Sequence, residues 1–183
     1  MLITLVLHRP EALVQIVRGT PTWVWGLLAG LLVLGATQLR DRTASLVRMS
    51  VMPVAMTAFS AWGMVSAFGA SHLFAGVLAV WIGVAAAVTS ALAPGRAAAT
   101  YDAARREYSL PGSVAPMLLI AGIFLVKWGV GVELALAPQS IQDTTFALAV
   151  AAVYGVFNGL FLGRAARLWR LAIRPAAPLA TAA

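Results

Sequence analysis

Residues 116–136 read PMLLIAGIFLVKWGVGVELAL. The run is continuous and does not alternate polar with apolar positions. As a helix it extends about 30 Å, the thickness of a bilayer's hydrocarbon core. Such a run suits either a transmembrane helix or the centre of a large soluble core, and composition decides between them. Of the 183 residues, 61% are hydrophobic and 10% charged, whereas soluble domains carry about a quarter charged residues. A soluble fold of this size has too much surface to hide so much apolar material. The solvent for this chain is lipid.

Working outward, four further runs are long and apolar enough to cross: residues 22–39, 49–68, 73–92 and 144–163. Together with 116–136 they predict an all-α integral membrane bundle of about five transmembrane helices in a single domain, residues 1–175. The absence of alternation argues against a barrel. The Ala/Pro-rich tail, 176–183, is expected to be disordered.

The links between these runs sort by charge. The first carries Arg40, Asp41, Arg42 and Arg48, and the third Arg96, Asp102, Arg105, Arg106 and Glu107. The tail carries Arg164, Arg167, Arg170 and Arg174, while the second link (residues 69–72) and the fourth (137–143) have no Lys or Arg. Basic and non-basic links therefore alternate, as an odd number of crossings requires. By the positive-inside rule the arginine-rich end is cytoplasmic. The expected setting is a bacterial inner membrane, with the N-terminus outside and the C-terminus in the cytoplasm. The net charge of +7 is accounted for in this way and does not call for nucleic acid.

The start of the chain does not read as a cleaved signal peptide, because no basic region precedes the apolar residues 1–7. Residues 10–18 place Glu11, Gln15 and Arg18 in one polar sector of a helix, with apolar residues filling the rest. That pattern predicts an interfacial amphipathic helix, ended by Gly19-Thr20-Pro21. It reads as an anchor, or else as a lid over a binding site. Trp23 and Trp25 sit where an aromatic belt belongs. In the third link, residues 97–109 are Ala-rich and predict a short helix, with Asp102 placed to pair with Arg105 and Arg106. Ser113 is the expected N-cap of the fourth span.

Two rows of small residues recur at intervals of four: Ala75, Ala79, Gly83, Ala87 and Ala91 in the third span, and Ala147, Ala151, Gly155, Gly159 and Gly163 in the fifth. Such rows let helix backbones approach closely in lipid. They predict that the third and fifth spans pack together, crossing near Gly83 and Gly155. Gly26 and Gly30 form a shorter row in the first span.

Lys127, the only lysine, lies near the middle of its span. A charge there costs about 3 kcal/mol on insertion scales, so such residues face the bundle interior or a water-filled cavity. Tyr154 and Asn158 share a face of the fifth span at matching depth. They are the candidate partners, and the three residues together are the candidate ligand-binding site. Glu133, about 120° around the helix from Lys127, is expected near the interface and hydrated. The alternative for all three site residues is structural: hydrogen-bonding glue between helices.

Other chemistry finds little support. There are no cysteines, which excludes disulfides, thiolate metal sites and thiol redox steps in this chain. Met49, Met52 and Met56 align on one face and suggest either a thioether path for copper(I) or ordinary gap-filling. His8 and His72 are two isolated histidines on the same expected side, weak grounds for a metal or haem site. No phosphate loop, metalloprotease motif or serine elbow is present. The expectation is a non-enzymatic protein with no cofactor and no metal.

Residues 40–48, RDRTASLVR, followed by Pro53, together with 110–113, LPGS, leading into 124–127, FLVK, resemble small, uncharacterised bacterial multi-pass proteins that are loosely CcdC-like. The resemblance covers most of residues 20–165. It implies a helical bundle and, through the family's name, cytochrome c biogenesis; the missing cysteines depart from a direct thiol role. Two functions are carried forward: a small transporter or permeation protein with a polar site at Lys127, and a non-catalytic membrane scaffold or assembly subunit. The expected partners are the lipid bilayer and a membrane protein or a second copy of the chain.

Overall fold

The computed structural model describes residues 10–95, 97–103 and 105–173, and among these the side chains of all but residues 10–13 and 52. His8, Arg9, Arg96, Arg174 and the tail 176–183 lie outside the described residues, as do the side chains of Glu11 and Met52.

Six helices follow in order: α1 (Pro10–Gly19), α2 (Thr22–Ala36), α3 (Leu46–Phe68), α4 (Phe74–Leu92), α5 (Ala115–Leu136) and α6 (Thr144–Ile173). Short 3-10 turns at Thr37–Leu39 and Pro138–Gln142 extend α2 and join α5 to α6. Five of these helical stretches are long and apolar enough to cross a membrane: Thr22–Leu39, Leu46–Phe68, Phe74–Leu92, Ala115–Leu136 and Thr144–Ile173. They coincide with the five runs read from the sequence. Helix α6, however, continues ten residues beyond the end expected at 163. Its last turns contain Arg164, Arg167 and Arg170 among Ala, Leu and Trp, which are good helix-compatible neighbours.

The fold is not purely helical. β1 (Arg42–Ser45), β2 (Thr100–Asp102) and β3 (Glu107–Leu110) form an antiparallel sheet in the order β1-β3-β2. This corrects the all-α expectation and the short helix expected over 97–109. Helix propensity from alanine was outweighed by non-local pairing. Ala44, Tyr108 and Tyr101 stand opposite one another across the three strands. The Tyr101 and Tyr108 rings lie 4.8 Å apart. Tyr108 is fully buried and its hydroxyl donates to the Leu168 carbonyl in α6 at 2.9 Å. Burial, with Tyr101 beside it, pushes the Tyr108 pKa up. Asp102 stands in a strand and not in a helix; its carboxylate accepts from the Arg105 backbone N–H at 3.1 Å, closing the hairpin turn, where Arg106 has φ 54°.

This sheet reports on the direction of the chain. The first link supplies β1, the third supplies β2 and β3, and the end of α6 rests against them. All three arginine-rich segments therefore share one end of the molecule. At the opposite end the second and fourth links meet, Ser71 donating to Gln142 Oε1 at 3.5 Å. At the arginine end Gly112 is required by close approach, since a Cβ there would collide with the Leu39 carbonyl. Its N–H donates to Asp41 at 2.7 Å. Ser113 precedes the N-cap position instead of occupying it, and its hydroxyl accepts from the Ala115 N–H at 3.3 Å.

Helices α4 and α6 run parallel and pack closely through the expected glycine row of α6. Cβ atoms added at Gly155, Gly159 and Gly163 would lie 2.9 Å from Val84 Cβ, 2.5 Å from Val88 Cβ and 2.8 Å from Leu92 Cβ respectively. The partner face of α4 is not the expected one. Ala75, Ala79, Gly83, Ala87 and Ala91 are exposed, and a Cβ at Gly83 would meet nothing within 4 Å. Val84, Val88 and Leu92 instead seat as knobs in the glycine groove. Glycines on one helix leave room for branched side chains on the other, so two facing rows of small residues would bury less. The Gly26–Gly30 row is likewise open, and α2 meets α5 through Gly35, where an added Cβ would lie 2.9 Å from Met117 Cγ.

Two arginines complete this side. Arg167 Nε donates to the Leu92 carbonyl at 2.6 Å, and Arg170 donates to Ala93 at 3.0 Å. Arg167 shares the Leu92 carbonyl with the Gly95 N–H, Arg170 caps the Ala93 carbonyl, and both place positive charge at the negative end of the α4 dipole. Trp169 ties α6 to α3 through Ser50 at 2.9 Å.

Candidate functional site

The other side of the molecule holds a chamber of about 1050 Å³, open on one side, where Trp23 and Phe59 of its wall are exposed. It is bounded by α1, α2, α3, α5 and α6. Its volume lies at the upper end of the range for small-molecule pockets, about 300–1,000 Å³. Along α5 the wall runs from Ile120 to Leu136, about 24 Å of helix, so the chamber is elongated along the spans. Its walls are almost entirely apolar. Lys127, Tyr154 and Asn158 all stand on it, together with Ser60 of α3. The three residues singled out in the sequence thus share one cavity.

Their mutual contacts differ from simple hydrogen bonding. Lys127 Nζ lies 5.0 Å from the Tyr154 ring centroid and 5.6 Å from that of Phe59. Gly63 makes room for it, because a Cβ there would lie 3.1 Å from Nζ. The ammonium is thus approached by two ring faces, whose quadrupoles attract a cation, and among the described residues it makes no hydrogen bond or ion pair. Asn158 bonds elsewhere. Its Nδ2 donates to Ser60 Oγ at 2.7 Å and to the Tyr154 carbonyl at 2.8 Å. It is the expected interhelical clasp, made to α3 and not to Lys127. Its Oδ1 is buried with no partner among the described residues. Turning the amide over would let Oδ1 accept from Ser60 but set it against the Tyr154 carbonyl.

Asn158 also borders a second, smaller cavity of about 450 Å³ between α3, α4 and α6, where Thr57, Trp81 and Thr89 line the wall. Trp81 Nε1 is a second buried polar atom without a partner. Glu133, expected to be hydrated, is buried at 7% exposure.

Helix α1 contributes to the chamber wall with Gln15, Ile16 and Gly19. Its junction with α2 is fixed to α5: Trp128 Nε1 donates to Thr20 Oγ1 at 3.1 Å, and Thr20 donates to the Ile16 carbonyl at 2.8 Å. Trp25 lies against Trp128 with ring centroids 6.2 Å apart, so it serves this joint as well as any belt. Met56 is on the chamber wall. No group of three or more His, Asp or Glu gathers among the described residues. Phe59, Trp128 and Thr20 were not singled out as site residues in the sequence. Nothing in an apolar run marks which aromatic will lie beside a distant lysine.

Fold and site define a class: a helical protein with five helices long and apolar enough to cross a membrane, four of which, together with α1, border an apolar chamber that holds one lysine. The chain belongs to a family whose model, described as a family of unknown function (DUF6622), matches residues 1–179. Comparison with curated proteins gave no match, and neither did comparison with solved structures.

Proposed function

We propose that this protein is a small, non-enzymatic transport or permeation protein of a bacterial cytoplasmic membrane, and that the chamber at Lys127 is its binding site. The observation that carries this reading is a lysine midway along a 24 Å apolar wall, with no acceptor among the described residues. A charge in that place costs about 3 kcal/mol, while two cation–π contacts return about 0.5–2 kcal/mol each. Structural glue would use the lysine's donors, and here they meet no acceptor among the described residues. In this reading Lys127, Tyr154 and Asn158 are the binding residues, and no metal or cofactor is needed. Helix α1 lies at the membrane interface as an anchor and also lines the chamber. By the positive-inside rule the arginine end is cytoplasmic, with the N-terminus outside. A place in cytochrome c biogenesis, as a CcdC-like protein, would have to be a transport step without thiol chemistry.

The test is native mass spectrometry of the detergent-purified protein, looking for a co-purified small molecule. Wild type is expected to carry one and Lys127→Met to lose it. Equal occupancy in both proteins would sink the reading. Reporter fusions at Arg40 and Gln139 check the orientation; a cytoplasmic signal at Gln139 would reverse it.

A specific observation supports a scaffold or assembly role as the second reading. The small-residue row of α4 around Gly83 faces outward, and such a row suits a partner helix or a second copy of the chain. Recovery of a stoichiometric protein partner, with the chamber empty, would favour it.

A further inference from the structure

We infer that the chamber takes a single-chain amphiphile with one negative charge, of the long-chain carboxylate type, its head on Lys127 and its tail along the apolar wall. The inference rests on the chamber being a binding site, as proposed above, and adds the chemistry of the occupant.

The charge follows from the lysine. Its three N–H donors have no acceptor among the described residues, and ring faces at 5.0 and 5.6 Å attract the cation without using those donors as a carboxylate would. Among the described residues no other Lys or Arg stands on the chamber wall. One cation matches one negative charge, whereas a phosphate monoester would bring a second charge into an apolar wall with nothing to offset it.

The tail follows from the walls. Toward the arginine end the cavity is lined by Ile120, Phe124, Phe157 and Phe161, and toward the opposite end by Val24, Val132 and Leu136. Among the polar groups on the wall, Asn158 is bonded to Ser60 and Thr20 to Trp128. The wall extends about 24 Å along α5. A short carboxylate would leave the aromatic floor unfilled. A neutral lipid would leave the ammonium without its anion.

The experiment uses the full chain in detergent and compares three probes by direct binding: oleate, oleyl alcohol and butyrate. Oleate is expected to bind wild type about tenfold tighter than oleyl alcohol, the equivalent of one charge-assisted hydrogen bond, with butyrate unbound. Lys127→Met should remove the preference for oleate and keep its melting temperature. Gly131→Phe, which adds a ring from an open position on the chamber wall, should abolish binding of both long-chain probes. Equal affinity for oleate and oleyl alcohol in wild type would overturn the anionic head while leaving the chamber as a binding site. Butyrate binding as tightly as oleate would overturn the tail. If Gly131→Phe leaves all binding unchanged, or wild type binds none of the probes, the chamber reading itself fails.

Discussion

Helices α6 and α2 are built from similar apolar residues and are packed in opposite ways. Among the described residues α6 buries ten, from Ala147 to Ala165, whereas α2 buries Gly35 alone. On the α6 side a glycine groove receives Val84, Val88 and Leu92, and arginines close the end of α4. On the α2 side the helices stand apart around the chamber. The contrast separates two jobs. In lipid, apolar side chains gain little by leaving the solvent, so stability must come from close backbone approach and from satisfied polar groups. The α4–α6 pair supplies both. The α2–α5 side, relieved of that task, leaves room for a large cavity and tolerates an isolated lysine.

The sharpest way to break this contrast is to fill the groove. Gly159→Leu would place Cβ 2.5 Å from Val88 Cβ and 2.9 Å from the Ala85 carbonyl, so backbone must move. Loss of about 3 kcal/mol or more is expected, read as a fall in the melting temperature in detergent. Gly83→Leu, facing open space, should stay within about 0.5 kcal/mol of wild type. Similar melting temperatures for the two variants would show that the glycine groove is not the source of stability.

Next comes the helix end. Arg167→Met keeps much of the stem and removes the charged donor to Leu92, so about 2 kcal/mol should be lost. A smaller effect is expected from Tyr108→Phe, which removes the hydroxyl bonded to Leu168 and should cost about 1 kcal/mol. Because the Tyr108 pKa is raised above its ordinary value of 10.0 by burial first and Tyr101 second, folding favours the neutral phenol. That contribution is complete below pH 10 and is lost as pH rises through the raised value. Tyr108→Phe should therefore flatten the alkaline fall in stability; an unchanged alkaline limb would point to other groups.

The smallest stability effect is expected on the chamber side. Lys127→Met removes no hydrogen bond to a described residue, and the loss of two cation–π contacts is offset by relief of a charge in lipid. Its melting temperature should lie within about 1–2 °C of wild type, an effect of about 0.5 kcal/mol. A large drop would assign Lys127 to the structural half of the molecule after all.

The sequence by itself determined the five membrane-length helices and, through the alternation of arginine-rich and arginine-free links, which ends go together. Both are local properties: the length of an apolar run and the charge of a short link. It also marked Lys127, Tyr154 and Asn158, because polar side chains are conspicuous in an apolar run. What it could not determine was which face of each helix meets which neighbour. Inside and outside are equally apolar in a bilayer, so hydropathy does not distinguish the buried face of α4 from the exposed one. The row around Gly83 was therefore as persuasive as the row around Gly155, and only the packed structure chose between them. The sheet was hidden for a related reason. β1 lies 65 residues before β3, counting from Arg42 to Glu107, and the local partner of β3, β2, is only three residues long, so the sheet depends on bringing β1 and β3 together. Their pairing exists because the spans between them return both links to the same end. The ring faces around Lys127 and the unbonded Oδ1 of Asn158 depend on the same tertiary choice: how far apart the helices stand is set by side-chain volumes on several chain segments at once, and no single run of residues encodes it.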